Sequence, residues 1–262
     1  MKQVTSKDGT TIVFDQSGKG PAVVLVDGAL CYRSFGPMES LAGLLAPHFT
    51  VINYDRRGRG ESGDTKPYAL AREVEDIEAL INEAGGSVFL FGTSSGACLA
   101  LEAALKLGNK IKKLAMWEPP YNSAPADRPA WKEYWTQLKK LVAADRRSDA
   151  AALFMQFVGT PADQIEGMRH APMWSMFEAV APTLVYDATC TGGEDRSVPI
   201  ERAARVTVPT LVMNGTVIPF MLDTARALAK AIPHAQQRTL EGQSHDVDLK
   251  VLTPVLVEFF SQ

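Results

Sequence analysis

The apolar positions change period along the chain, and those changes define its elements. Residues 10–15 read as a strand. The turn Ser17-Gly18-Lys19-Gly20-Pro21 then leads into 22–26, an unbroken apolar run of the kind carried by a strand covered on both faces. Residues 34–46 place Phe35, Met38, Leu41, Leu44 and Leu45 at helical spacing. The alternation continues with a strand at 49–54, an acidic amphipathic helix at 71–84, a buried strand at 87–91, an Ala- and Leu-rich helix at 96–107, and a strand at 111–117 closed by Pro119 and Pro120. It resumes near Pro209, with strands at 210–214 and 236–240 and helices at 220–231 and 247–260. Strands alternating with helices imply an α/β fold with a mostly parallel central sheet flanked by helices.

Between these halves the pattern differs. Residues 121–205 hold no convincing buried strand but carry helical patterns at 129–144, 149–158 and 173–187, along with Trp131, Trp135 and Trp174. This stretch is expected to be a helical cap folded over the end of the sheet. The division is then 1–120 with 206–262 as the core domain and 121–205 as the insertion. No repeat or low-complexity segment is present.

Composition narrows the function classes. At 262 residues the chain can bury a core unaided, and 46% hydrophobic with 22% charged residues excludes a disordered or fibrous protein. The net charge of −3 gives no basic footprint, so no nucleic-acid partner is expected. The clusters Arg56-Arg57-Gly58-Arg59 and Lys110-Ile111-Lys112-Lys113 read as loop or helix-end charge. Cys31, Cys98 and Cys190 are too few and too scattered for a disulfide framework or a metal site, and read as reduced, buried thiols. No signal-peptide core and no run of about 18 apolar residues is present, so a cytoplasmic protein without a membrane partner is expected. No metal cluster, phosphate loop or dinucleotide fingerprint appears, and no cofactor is implied.

The strongest chemical signal is Gly92-Thr93-Ser94-Ser95-Gly96, a G-x-S-x-G pattern between a buried strand and an Ala-rich helix. A turn that sharp needs small residues on either side and presents Ser94 at a helix N-terminus, where the dipole favours developing negative charge. The bland alternative is a glycine-rich helix cap. A serine hydroxyl needs a base. His48 and His234 each follow a proline in a turn, and His170 lies in the insertion. His245 follows the last strand, in Gly242-Gln243-Ser244-His245.

With Tyr54-Asp55-Arg56-Arg57-Gly58-Arg59-Gly60-Glu61-Ser62, similar to a D-x-R-G-x-G-x-S loop, and Met116-Trp117-Glu118-Pro119-Pro120-Tyr121, the sequence resembles the α/β-hydrolase superfamily. The resemblance is to its small capped branch of esterases, lactonases, perhydrolases, dehalogenases and epoxide hydrolases, and covers nearly the whole chain. It implies the α/β-hydrolase fold with the cap inserted after the sixth strand, and a catalytic order of serine first and histidine last, hence Ser94 and His245. It also implies an oxyanion hole from the backbone N–H groups of Ser95 and Ala29, the latter in Val26-Asp27-Gly28-Ala29-Leu30. There Asp27 replaces the usual histidine and puts a carboxylate near a site that must stabilise an oxyanion.

A second departure concerns the acid. The family's usual aspartate position, after the seventh strand, holds Ile218, and Asp223 lies a turn too far on. Glu118, at the end of the sixth strand, is the leading replacement. The alternatives are a purely structural Glu118, or Asp246 or Asp248, which are placed rather to start the last helix. Ser94 in place of an aspartate nucleophile implies attack on a carbonyl and an acyl-enzyme.

The expected activity is hydrolysis of a carboxylic ester or lactone of a small-to-medium apolar substrate. Leu30, Tyr121, Trp174, Phe177 and Ile218 are pocket candidates, and Met155, Met168, Met173 and Met176 would make the site adaptable. Some of Trp131, Trp135, Phe154, Phe157, Trp174, Met176 and Phe177 are expected to line the pocket and the rest to form the cap's core. A cofactor-free haloperoxidase-like perhydrolase or a C–C bond hydrolase would use the same residues. A ligand-binding protein with a decayed triad is the non-enzymatic alternative, motivated by Asp27 and Ile218. The partner implied is a small molecule, with a homo-oligomer open.

Overall fold

Alternating side chains along each central strand divide the core into two layers. Val24, Val26, Leu90, Leu114 and Met116 face one helical layer, while Val23, Leu25, Phe89, Phe91, Ala115 and Trp117 face the other. The computed structural model describes all 262 residues. Its eight strands are β1 (Lys2–Thr5), β2 (Thr11–Ser17), β3 (Ala22–Val26), β4 (Thr50–Tyr54), β5 (Val88–Thr93), β6 (Ile111–Trp117), β7 (Thr210–Asn214) and β8 (Ala235–Thr239). They form one sheet in the order β1-β2-β4-β3-β5-β6-β7-β8. β1–β2 and β2–β4 pair antiparallel and every other pair is parallel, with Leu25 opposite Phe91 and Phe91 opposite Ala115 at the centre.

One face is covered by α2 (Leu70–Glu83), α3 (Ser95–Leu107) and α10 (Pro219–Ala231), the other by α1 (Met38–Leu45) and α11 (Leu249–Ser261). The strand at Lys2–Thr5 has no counterpart in the sequence reading. Its residues are largely exposed, so the apolar alternation that marks a strand is missing.

The insertion carries α4 (Arg128–Ala143), α5 (Arg147–Phe157), α6 (Ala162–Arg169), α7 (Trp174–Val180), α8 (Leu184–Cys190) and α9 (Ile200–Ala203). The single helix expected at 173–187 is two, divided by a 3-10 turn at Ala181–Thr183 where Pro182 removes a donor. Leu30, Trp131, Trp135, Leu138, Met155, Trp174, Phe177 and Leu184 form a separate apolar cluster there. The ends of the insertion belong elsewhere: Tyr121, Cys190, Val198 and Ala203 pack into the sheet's own core. No helix is long and apolar enough to cross a membrane.

Candidate active site

The carboxyl ends of β3, β5, β6 and β7 point to one cavity of about 840 Å³ between the sheet and the insertion. Ligands in open parallel sheets bind at that end. Ser94 follows β5 directly, with φ 54° and ψ −130°, a conformation sparsely populated for non-glycine residues. Its N–H donates to the Trp117 carbonyl at 2.9 Å, which fixes the turn against β6. A Cβ on Gly92 would meet the Gly96 carbonyl oxygen at 2.5 Å, and one on Gly96 would meet that of Val26 at 2.3 Å. Both glycines are therefore required by close backbone approach. Ser94 Oγ forms no hydrogen bond within the protein and faces the cavity.

His245 lies in the loop before α11 and lines the same cavity. Its Nδ1 is 2.8 Å from Glu118 Oε2, so Nδ1 carries the proton in the tautomer this pairing favours and Nε2 presents a lone pair. Trp117 Nε1 donates to the His245 carbonyl at 2.9 Å and anchors the loop to β6.

Glu118 is fully buried, with φ 42°. Its other oxygen accepts from the Gly215 N–H at 2.9 Å, and its own N–H donates to the Met213 carbonyl at 3.0 Å. A side chain at Gly215 would strike the Gln243 carbonyl oxygen at 2.0 Å. The glutamate thus leans from the end of β6 across the end of β7. The other candidate carboxylates are placed elsewhere: Asp223 is exposed on α10, and Asp248 accepts from the Lys250 N–H at the start of α11. Asp246 is exposed at the cavity wall and Glu118 holds the ring nitrogen. His48, His170 and His234 are all exposed.

Ala29 lines the cavity beside Ser94, and its N–H has no acceptor in the protein. The N–H of Ser95 is at the first position of α3, where helical N–H groups lack intrahelical partners. A Cβ on Gly28 would come within 3.0 Å of Ser94 Cβ, so this loop packs directly on the turn at Ser94. Asp27 is buried against the cavity. Its Oδ1 accepts from the Gly28 N–H at 2.8 Å, while Oδ2 has no partner. Burial pushes its carboxyl up to about 7, against the pull of the Gly28 N–H, Arg59 and Arg56.

Arg56, Arg57 and Arg59, expected as structural loop charge, are each about 1% exposed. Arg56 makes two bonds to Glu73, at 2.8 and 2.9 Å, and one to Asp187 at 2.7 Å. Arg57 forks onto Asp76 at 2.7 Å. One terminal nitrogen of Arg59 donates to both Asp187 carboxylate oxygens at 2.7 Å, and the other donates to the Gly28 and Cys31 carbonyls. Asp187, from α8 in the insertion, accepts from Ser95 Oγ at 2.7 Å as well. Burial alone would raise the Asp187 carboxyl, but Arg59, Arg56 and the Ser95 hydroxyl hold it below the usual carboxylate range. One insertion carboxylate therefore ties together both backbone segments that carry the Ala29 and Ser95 N–H groups.

Several pocket expectations are corrected. Leu30, Trp174 and Phe177 are buried in the insertion's own apolar cluster, and Tyr121 is buried in the sheet core; none lines the cavity. Nor do Met155, Met168, Met173 or Met176; Met38 and Met221 do instead. Ile218 lines it as expected, with Trp131, Phe154, Phe157 and Phe220. Cys31 is half-buried at the cavity wall rather than buried, and all three cysteines are free. No group of three or more His, Cys, Asp and Glu side chains is placed to hold a metal ion.

The fold and site define a parallel α/β protein with a serine on a strained strand-to-helix elbow. The sequence profile of the alpha/beta hydrolase family matches residues 23–249, and the chain belongs to that family. It is 49% identical to an alpha/beta hydrolase from Sphaerobacter thermophilus, with a TM-score of 0.87 covering 99% of this chain and 100% of that one. A thermophilic esterase from Thermogutta terrifontis shares the fold at 21% identity and a TM-score of 0.71, covering 99% and 97%. Among curated proteins it is 27% identical over 115 residues to an uncharacterized hydrolase, YraK, of Bacillus subtilis, covering 42% of each chain. The matches span less than half the length of these curated relatives.

Proposed function

We propose that this hydrolase cleaves a carboxylic ester or lactone through an acyl-enzyme on Ser94. The observation that carries the reading is the 2.8 Å contact between buried Glu118 and His245 Nδ1, across the same cavity that Ser94 faces. It supplies the acid whose absence at Ile218 motivated the decayed-triad alternative. In the first half-reaction His245 Nε2 takes the Ser94 proton as Oγ bonds to the substrate carbonyl carbon. The resulting oxyanion accepts from the Ala29 and Ser95 N–H groups, donors already in place before charge develops. Collapse breaks the bond to the leaving oxygen, which takes the proton from His245. Water then enters, gives a proton to His245 and adds to the acyl carbon, and Ser94 departs with that proton restored. Glu118 stays ionised throughout and stabilises the imidazolium.

The test is labelling by a fluorophosphonate and turnover of short-chain aryl esters. Ser94→Ala should abolish labelling and lower kcat by about 10⁴-fold or more. Unchanged turnover in that variant would refute the proposal.

A further inference from the structure

Arg56, Arg57 and Arg59 are met by carboxylates, and Arg196, the arginine that lines the cavity, is not. It stands in the loop between α8 and α9, half-buried, and lines the same cavity as Ser94 and His245. Its guanidinium carbon lies 5.0 Å from the ring centre of Trp131, 5.3 Å from that of Phe220 and 5.5 Å from that of Phe157. All three rings line the cavity too. Nε donates to the Pro120 carbonyl at 2.5 Å, two residues beyond Glu118. The two terminal nitrogens donate to nothing in the protein.

This head group is fixed. The loop that carries it is tied down by the Asn122 N–H to the Arg196 carbonyl at 2.8 Å, the Val198 N–H to Ser123 Oγ at 3.0 Å and Trp131 Nε1 to the Gly193 carbonyl at 2.7 Å. Burial pulls the guanidinium down to about 10, so it remains charged at neutral pH. Asp127 is the one carboxylate that acts on it, and that group is exposed and accepts from Asn122 Nδ2 at 2.8 Å. Asp187, which lines the same cavity, is saturated by Arg56, Arg59 and Ser95. A cation held on aromatic faces with two donors unused is arranged to take a planar anion by a paired fork of hydrogen bonds.

We propose that Arg196 is an anion subsite of the catalytic cavity, and that the ester or lactone hydrolysed at Ser94 carries a carboxylate several bonds from the reacting carbonyl. This rests on the serine-hydrolase reading above and narrows it: the substrate is apolar along its middle and charged at one end. The subsite holds the carboxylate among Trp131, Phe157 and Phe220, and leaves the reacting carbonyl to Ser94.

The test compares monomethyl esters of the straight-chain diacids from succinate to suberate with their dimethyl esters, by titration of released acid. For at least one chain length kcat/KM for the acid ester should exceed that of the neutral ester by about tenfold or more. Arg196→Gln should reduce that ratio by about tenfold, through KM, and Arg196→Lys should restore part of it, since charge returns without the fork. Calorimetry with the free diacids on Ser94→Ala protein gives a readout without turnover: binding should weaken about tenfold when Arg196→Gln is added. Neutral-ester turnover without charge preference, and without Arg196-dependent diacid binding, would overturn the subsite and leave the hydrolase reading standing. Arg196-dependent diacid binding in a protein that turns over no ester and takes no fluorophosphonate would do the reverse. Should Arg196→Gln fail to fold, the lysine variant and competitive inhibition of the unmodified protein by the same diacids decide the question.

Discussion

The two walls of the cavity are built by different rules. On the sheet side the residues of the proposed triad sit at the end of a strand or in the loop beyond it, held by backbone contacts. Ser94 is fixed by the Trp117 carbonyl, Glu118 by Met213 and Gly215, and the His245 loop by Trp117 Nε1. On the insertion side the wall is mostly aromatic and aliphatic, and among the polar side chains that interrupt it Asp187 and Arg196 are of opposite charge and opposite fate. Asp187 is saturated from beneath, by Arg56, Arg59 and Ser95; Arg196 keeps its terminal donors unused. On the proposed reading the sheet wall sets what bond is attacked, the insertion wall sets what is admitted, and Asp187 crosses from one to the other.

The sharpest way to break this division is on the sheet side, at Glu118. Glu118→Gln keeps the shape but offers His245 Nδ1 an amide in place of a carboxylate. The favoured tautomer and the stabilised imidazolium are both lost, and kcat should fall by about 10²–10⁴ with KM little changed. Steady-state kinetics on a neutral aryl ester measures it. A loss below about tenfold would show that the rate does not depend on this carboxylate.

Asp187→Asn tests the crossing point and should cost less. The variant keeps a hydrogen-bond acceptor for Ser95 Oγ but removes the charge that Arg56 and Arg59 share, leaving buried guanidiniums under-compensated. Breaking a buried pair in this way costs about 3–5 kcal/mol of stability. A purely structural role would lower the melting temperature without touching the rate of the folded enzyme. The expected outcome adds a fall in kcat of about 10- to 100-fold at nearly constant KM, measured well below the melting temperature, because the Ala29 and Ser95 donors lose their fixed spacing. Unchanged kcat would return Asp187 to the insertion side of the comparison.

What the sequence discloses follows the same line between the walls. Strand and helix placement in the sheet half was legible because one-sided or continuous burial leaves a period, and the ends of β6 and β7 coincide with the apolar runs at 111–117 and 210–214. Ser94 and His245 were legible because the elbow's glycines and the position after the last strand are local signals. Glu118 was picked out by its place at the end of the sixth strand once the usual acid position held Ile218, and its pairing needed coordinates, since residues 118 and 245 meet only through the register of β6, β7 and the last loop. The charges of the arginine loop were read as structural, but their burial and their carboxylate partners were not foreseen. A signal was present on α2, where Glu73 and Asp76 share a face with Ile77 and Leu80, so carboxylates stand on a helix's buried side. In the insertion nothing marked which aromatics face inward. Trp131 and Phe157 line the cavity while Trp174 and Phe177 do not, although all four stand at apolar positions of helical patterns.

The smallest expected effect lies at Asp27, where the sheet wall carries a group at odds with its neighbours. Its carboxyl faces Arg59, Arg56 and Asp187, yet burial dominates and holds it near 7. The ionised form, next to Gly28 and Ala29, opposes an oxyanion; the neutral form does not. Ester turnover by the unmodified protein should therefore lose a few-fold as pH rises through about 7, while Asp27→Asn keeps its rate, so the variant-to-parent ratio of kcat/KM climbs between pH 6 and 9. Stability must follow. The unfolded chain releases this proton near 3.8 and the folded protein only near 7, so between those values the folded state binds more protons and its stability falls as pH rises. Above 7 the cost is complete. Asp27→Asn should raise the melting temperature more at pH 8 than at pH 5, by about 3 °C or more. A variant whose kcat/KM ratio and melting-temperature gain stay flat with pH would show that Asp27 does not titrate in this range, and that the loop before Ala29 tolerates its carboxylate unpunished.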